Sequence, residues 1–391
     1  MNKIIPYGKH TISQDDIKKV SIVLKSDHIT TGPLVEKFEK EFSKKVNSKY
    51  ATVCSSGTAA IHLALLSISL NKKDNIIIPA INFIAAVNMA SIIGANIFLA
   101  DVDENSGQMT PTTLINCIKK NKLKKIKAII TMYNGGSPNY VKEFYAIKKK
   151  YKTFLIEDSC HALGSKYSLR KNLKTGDCKY SDIATFSFHP VKSITTGEGG
   201  MITTNIKKIA YKTKILRNHG ILRKDSNKKN YNWSYKILDA GFNYRLSDLN
   251  CALGINQLKK LDMFVKSRKK IAKAYEKNLK PLSNYIILPK EANDQSSAWH
   301  LYIIKFKLKK LKINRNLIIQ KLYKLGVATQ VHYIPTFYQP KYFHLKNMNL
   351  TGAKKYYNRC LSLPIFPDLS MQNVNSICKK IKIIVNRYKK Q

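Results

Sequence analysis

The sequence predicts an α/β protein: a large domain on a mainly parallel sheet, followed by a smaller α+β domain. Three observations predict it. Short apolar runs recur across the first two-thirds of the chain without polar alternation, as strands covered on both faces require. Helical patterns lie between them, the rhythm of a parallel sheet with crossover helices. After about Leu253 the rhythm changes, which places the division at residues 1–253 and 254–391.

The strands read in order are 75–79, 96–100, 127–131, 153–156 and 183–186, each rich in Ile, Phe, Leu or Ala. Helical stretches such as 59–68 and 84–93 separate them. Residues 201–204 are strand-like as well. Beyond the division, the basic amphipathic stretch 256–279 predicts one long connecting helix. A strand (301–306), a helix (314–325), a strand (329–333) and a closing helix (372–388) follow.

With 391 residues the chain is too long for one ordinary domain and ample for two. Its 44% hydrophobic content excludes a disordered polymer. No apolar run approaches the roughly 18 residues that span a bilayer. Residues 1–10 hold a proline and charges with no apolar stretch behind them, unlike a signal peptide. A cytoplasmic protein without a membrane partner is the expectation. The seven cysteines are scattered with no C-x-x-C pair, so neither a metal site nor a disulfide framework is expected.

The net charge of +45 raises nucleic-acid binding as one reading. Lysine supplies almost all of it, since only eight of the 69 basic residues are arginine. Lysine, asparagine and isoleucine are abundant together, as compositional drift in an AT-rich genome produces. Runs such as Lys119–Lys120 and Lys148–Lys150 fall on helix ends. No aromatic-basic stripe accompanies them, so no nucleic-acid partner is expected. A non-catalytic, cofactor-binding regulator is a third reading.

Three segments carry chemistry. Lys192 follows Phe186-Ser187-Phe188-His189-Pro190-Val191 and precedes the turn Gly197-Glu198-Gly199-Gly200. Glycines let backbone approach a ligand closely, and a lysine held there can form a Schiff base with an aldehyde cofactor. Asp158 ends a predicted buried strand, the edge where open α/β sheets bind ligands. A carboxylate there calls for a cation such as a protonated pyridine nitrogen. The alternative is an ordinary helix cap before Ser159 to Leu163. Ser56-Gly57-Thr58 opens an apolar helix, and free N–H groups with the positive end of a helix dipole bind phosphate. That too has a plain capping alternative.

The order and spacing of these segments resemble the DegT/StrS family of sugar aminotransferases over essentially the whole chain. Further matches are Thr31-Gly32-Pro33, Phe38-Glu39, Asn243-Tyr244-Arg245-Leu246-Ser247, the His332-Tyr333-x-Pro335 segment and Leu363-Pro364. The resemblance implies the aspartate-aminotransferase fold, fold type I of pyridoxal-phosphate enzymes, with pyridoxal 5'-phosphate as cofactor. By position it implies Lys192 as the Schiff-base lysine and Asp158 as partner of the pyridine nitrogen. Ser56, Gly57, Thr58 and Ser187 match the phosphate cradle, Phe83 the aromatic stacked on the ring, and His161 the contact to its hydroxyl. Asn243 matches an asparagine that reaches the neighbouring subunit's cofactor, implying a homodimer with shared sites. Tyr7, Thr31, His332 and Tyr333 are the candidates to contact substrate. Relatives with histidine in place of the lysine are dehydratases; Lys192 is intact.

Within the family, Asp158 to Ser165, Phe186 to His189, Ile194-Thr195-Thr196 and His219 to Leu222 are most similar to a branch serving pseudaminic acid biosynthesis. That similarity implies transfer from L-glutamate to C4 of a UDP-linked 4-keto-6-deoxy-N-acetylhexosamine. Tyr133-Asn134-Gly135-Gly136 departs from the shorter family pattern, beside the expected substrate pocket.

Overall fold

The computed structural model describes residues 4–222, 234–347 and 349–390. Seven strands form the main sheet: β1 (Tyr50–Cys54), β2 (Asn75–Pro79), β3 (Asn96–Ala100), β4 (Ala128–Met132), β5 (Phe154–Asp158), β6 (Ile183–Ser187) and β7 (Gly200–Thr204). Their spatial order is β1-β7-β6-β5-β4-β2-β3. All neighbours from β6 to β3 run parallel, while β7 is antiparallel to both β6 and β1. The parallel α/β expectation is borne out. The edge strand β1 went unread although it is as long as its neighbours; its pairing with β7 identifies it.

Alternate residues of each strand feed opposite layers, as a pleated strand requires. Ile76, Ile78, Ile130 and Ile156 pack under helices α3 (Gly57–Ser67), α4 (Ala85–Ile93) and α7 (Lys207–Leu216). Ile77, Ile129 and Leu155 face the other way, onto α5 (Pro111–Lys120) and α6 (Val141–Tyr151). At the β1 end that second layer continues with α2 (Pro33–Val46) and α8 (Asp248–Lys259), which cover Val53, Ala184, Phe186 and Met201. Helix α3 is apolar all round and buried nearly throughout, so its N-terminus is held inside the molecule. The short α1 (Gln14–Leu24) lies against α8, and its buried Asp16 accepts from Asn256 and Gln257 and pairs with Lys260.

The connecting helix predicted over 256–279 is two helices. Helix α8 stops at Lys259 and α9 (Leu261–Leu279) starts afresh beyond Lys260. Neither glycine nor proline marks the break. It arises because α8 is buried on several sides while α9 passes into a different core: Leu261 and Phe264 pack with α2 and α8, Ile271 and Tyr275 with the C-terminal elements. That second core surrounds an antiparallel sheet of β8 (Ile286–Ile287), β9 (Tyr302–Phe306) and β10 (Cys360–Leu363). Helices α9, α10 (Arg315–Lys324) and α12 (Met371–Tyr388) cover Tyr302, Ile304 and Phe306. The opposite face sends Ile303 into the large domain's core beside α11 (Thr351–Arg359).

Two further expectations are corrected. Residues 329–333 form no strand; only Gln330 bridges to Ser362, and the chain then turns away across a cis His332–Tyr333 peptide. Its apolar and aromatic side chains go into a cavity wall instead of a sheet. Ser159 to Leu163 form turns, not a helix, so Asp158 is no helix cap. The N-terminal segment crosses between the two parts: Ile5 bridges Val327, and Ile365 N–H donates to Tyr7 O at 3.1 Å.

Candidate active site

The C-terminal ends of β2, β4, β5 and β6 open onto one cavity of about 580 Å³, roofed by the C-terminal part of the chain. Strand ends in a parallel sheet place side chains of distant sequence around one crevice. Ser56, Gly57, Thr58, Phe83, Asp158, His161, Ser187, Lys192, Tyr7, His332 and Tyr333 all line it. Thr31 and Asn243 do not. Thr31 is exposed in the turn before α2, and Asn243 is exposed where it bridges Asn218.

Ser56 caps α3, its Oγ accepting from Ala59 N–H at 3.0 Å. Gly57 and Thr58 are the first helical residues, so their N–H groups have no intrahelical acceptor. Glycine is required at 57 because a Cβ would come within 2.8 Å of Ser187 Cβ. The close approach sets a dipole end, two free N–H groups and the Ser187 hydroxyl into a cradle that fits a phosphate.

Asp158 is 3% exposed, and its Oδ1 accepts from Cys160 N–H at 3.1 Å. Among the described residues no cationic nitrogen lies within 4.0 Å of it. Burial pushes its carboxyl up from the usual range, with Cys160 and Lys192 partly opposing. A buried carboxylate facing a cavity without its cation fits a positively charged ring nitrogen. Lys192 is half-buried, its amine has no hydrogen-bond partner among the described residues, and burial lowers its pKa against the pull of Cys160 and Asp158. Lowering the pKa of an amine in this way favours its use as a nucleophile and base.

His161 sits between these groups and the roof. Its Nδ1 accepts from Gly135 N–H at 3.4 Å, and its Nε2 lies 2.9 Å from Tyr333 Oη. Burial, with Lys192 and His332 nearby, holds the imidazole well below its ordinary pKa. The neutral ring thus carries its proton on Nε2 and donates to the phenol. His332 Nδ1 lies 2.8 Å from Ser362 Oγ, and burial and Lys192 push its pKa down to about 3. Phe83 is 52% exposed at the mouth, its ring 5.8 Å from that of Tyr333.

Sequence reasoning missed His300, Cys160, Asn82, Gln330 and Gln339, which also line the cavity. The His300 ring lies 4.4 Å from that of His161, centre to centre, tilted by 45°. Its only signal is a histidine just ahead of an apolar strand, which does not stand out. Among the described residues no cluster of His, Cys, Asp or Glu could hold a metal, and no helix is long and apolar enough to cross a membrane.

Residues 10–382 match the DegT/DnrJ/EryC1/StrS aminotransferase family. The chain belongs to that family. It is 36% identical to uncharacterized protein MJ1066 of Methanocaldococcus jannaschii over 388 residues, covering 98% of each chain. It is 34% identical to the UDP-4-amino-4,6-dideoxy-N-acetyl-beta-L-altrosamine transaminase of Campylobacter jejuni over 388 residues, covering 99% of each. The solved structure of Helicobacter pylori PseC, an aminotransferase involved in the biosynthesis of pseudoaminic acid, superposes with a TM-score of 0.89 at 29% identity, covering 98% of this chain and all of that one. The chain is therefore a sugar aminotransferase with the fold-type-I architecture, and its family is dependent on pyridoxal phosphate. The cradle at α3, the orphaned Asp158 carboxylate and the free Lys192 amine are a donor set that fits this cofactor.

Proposed function

We propose that the enzyme transfers the amino group of L-glutamate to C4 of a UDP-linked 4-keto-6-deoxy-N-acetylhexosamine, in the manner of pseudaminic acid biosynthesis. The observation that carries the chemistry is the unpaired Lys192 amine beside the cation-less, buried Asp158 in one cavity. The relative from Campylobacter jejuni supports the substrate class, since the product in its name is a UDP-linked 4-amino-4,6-dideoxy-N-acetyl sugar.

Bound pyridoxal phosphate supplies an aldehyde to carry the amino group and a ring that delocalises negative charge from the reacting carbon. Gly57, Thr58 and Ser187 hold its phosphate, and Phe83 packs against its ring. Asp158 keeps the ring nitrogen protonated by ion pairing. His161, its ring nitrogens engaged by Gly135 and Tyr333, lines the cavity, and a contact to the ring hydroxyl would replace one of those two bonds. Lys192 Nζ, its pKa lowered by burial, takes the α-proton from the glutamate Cα and gives it up again. In the second half-reaction it delivers a proton to C4 of the sugar. Tyr7, His332 and Tyr333 line the mouth for the sugar; with His161 donating to its oxygen, the Tyr333 phenol hydrogen is free for a substrate oxygen.

Thr31 and Asn243 are assigned to the same chemistry through a second copy of the chain. Both lie exposed outside this cavity, and the nearby exposed Tyr235, Ile237 and Leu238 offer apolar surface for that copy. The +45 charge is read as solvated lysine surface that draws in a diphosphate.

The test supplies purified enzyme with cofactor, L-glutamate and the 4-keto sugar nucleotide. A 4-amino sugar located by NMR is the expected product. Amination at C3, or activity only on sugars lacking the acetamido group, would move the enzyme to another nucleotide-sugar aminotransferase of the family.

A further inference from the structure

A second cavity, of about 360 Å³, lies behind the wall that carries His161. The segment Tyr133-Asn134-Gly135-Gly136 makes the partition. On one side Gly135 N–H donates to His161 Nδ1; on the other Asn134 and Gly135 line the second cavity.

The lining is polar where a domain junction would ordinarily be apolar. Strand β9 alternates, with Tyr302, Ile304 and Phe306 facing the C-terminal core and Ile303 facing the large domain. Lys305 takes the next position on the Ile303 face, where an apolar side chain is expected. It is 3% exposed, yet its Nζ donates only to Ile303 O at 3.4 Å, and among the described residues no carboxylate lies within 4.0 Å. Burial pushes its ammonium down to about 8, with Cys360 and Asp103 opposing. Asn134 Oδ1 and Ser137 Oγ, both on the cavity wall, are buried without a hydrogen-bond partner. Trp299, Leu301 and Leu288 complete an apolar side. Asp103 shares the cavity wall but lies beyond 4.0 Å of the Lys305 ammonium, and a buried cation without a close ion pair, next to unsatisfied polar atoms, is costly unless something fills the space.

We propose that this cavity binds a small carboxylic acid that also carries a hydroxyl group. The carboxylate pairs with Lys305, while the hydroxyl donates to Asn134 Oδ1 and Ser137 Oγ contributes a further hydrogen bond. Its volume lies within the range of small-molecule sites. The site is distinct from the amino-transfer cavity but linked to it: Asn134 Nδ2 donates to Tyr356 Oη at 2.8 Å, and that hydroxyl donates to His332 O at 3.0 Å.

The test is calorimetric titration of the cofactor-loaded enzyme with L-lactate and L-malate. At least one is expected to bind with a dissociation constant below about 5 mM, equally in wild type and Lys192→Ala. Lys305→Met is expected to weaken it about tenfold or more, and Ser137→Ala, which only removes a hydroxyl, to weaken it measurably. Ser137→Ala decides the matter should Lys305→Met fail to fold. No binding by either acid, or affinity unchanged in the folded variants, overturns the proposal.

Discussion

At the scale of single residues, the site depends on two groups whose charges burial makes costly. Lys192→Ala is expected to abolish transamination and the visible absorbance band of the bound cofactor, because no other described lysine lines the cavity. Near-normal turnover would refute the assignment. Asp158→Asn keeps the shape and removes the charge. Cofactor is expected to bind still, with turnover down a hundredfold or more, roughly 2.7 kcal/mol in barrier. A rate within about tenfold of wild type would show that the ring nitrogen has another partner. Lys192 and Asp158 were legible in the sequence, since Asp158 closes a strand, Lys192 follows one by five residues, and each leads into a distinctive turn. His300 was not, because its position at the site comes from the crossing of chain segments and not from local pattern.

At the scale of elements, the contact between the start of α3 and the end of β6 shapes the phosphate cradle. Gly57→Ala places a methyl 2.8 Å from Ser187 Cβ, so one of the two must shift. The expected result is a folded protein whose cofactor affinity, measured by absorbance titration, falls about tenfold or more. Unchanged affinity would mean that the cradle lies elsewhere. Strand β5 carries a second device. Glu157, next to Asp158 but facing the other layer, is 1% exposed and accepts from Tyr167; burial raises its pKa to about 7. A carboxyl raised above its unfolded value favours the folded state when protonated, so its contribution is full at low pH and is lost as pH rises toward 7. Glu157→Gln mimics the protonated form. Its stability relative to wild type is expected to increase from about pH 4.5 to 7 and then level off, by roughly 3 kcal/mol at most. Thermal melts across that range check it, and a flat difference would show an ionised Glu157 already satisfied. The element reading itself succeeded where runs were long and apolar, as at β2 to β6. It failed at 256–279 and 329–333, where burial against other segments overrode a locally uniform pattern.

At the scale of the molecule, Asn243 is expected to serve the cofactor of a second subunit. Lys192→Ala and Asn243→Ala damage different components of a shared site. Mixing the two inactive or weakened proteins under conditions of proven subunit exchange should restore activity in part, as some heterodimers contain one intact site. Exchange without recovery would show that each chain completes its own site.

The sequence by itself determined the sheet class and the family, and it named the residues proposed for the amino-transfer chemistry. These depend on local order: apolar runs long enough to be strands, and turns whose glycines, serine, aspartate and lysine follow one another at short range. The tertiary structure alone decided that the N-terminal segment bridges to Val327 in the C-terminal part of the chain, that α8 and α9 part at Lys260, and that His300 lies against His161. It alone placed Lys305 on the wall of a buried cavity without a close ion pair. The physical reason is that burial is a property of the assembled chain. A lysine in an apolar strand reads as one more surface charge until the layers close around it, and only then do its desolvation and missing partner become visible.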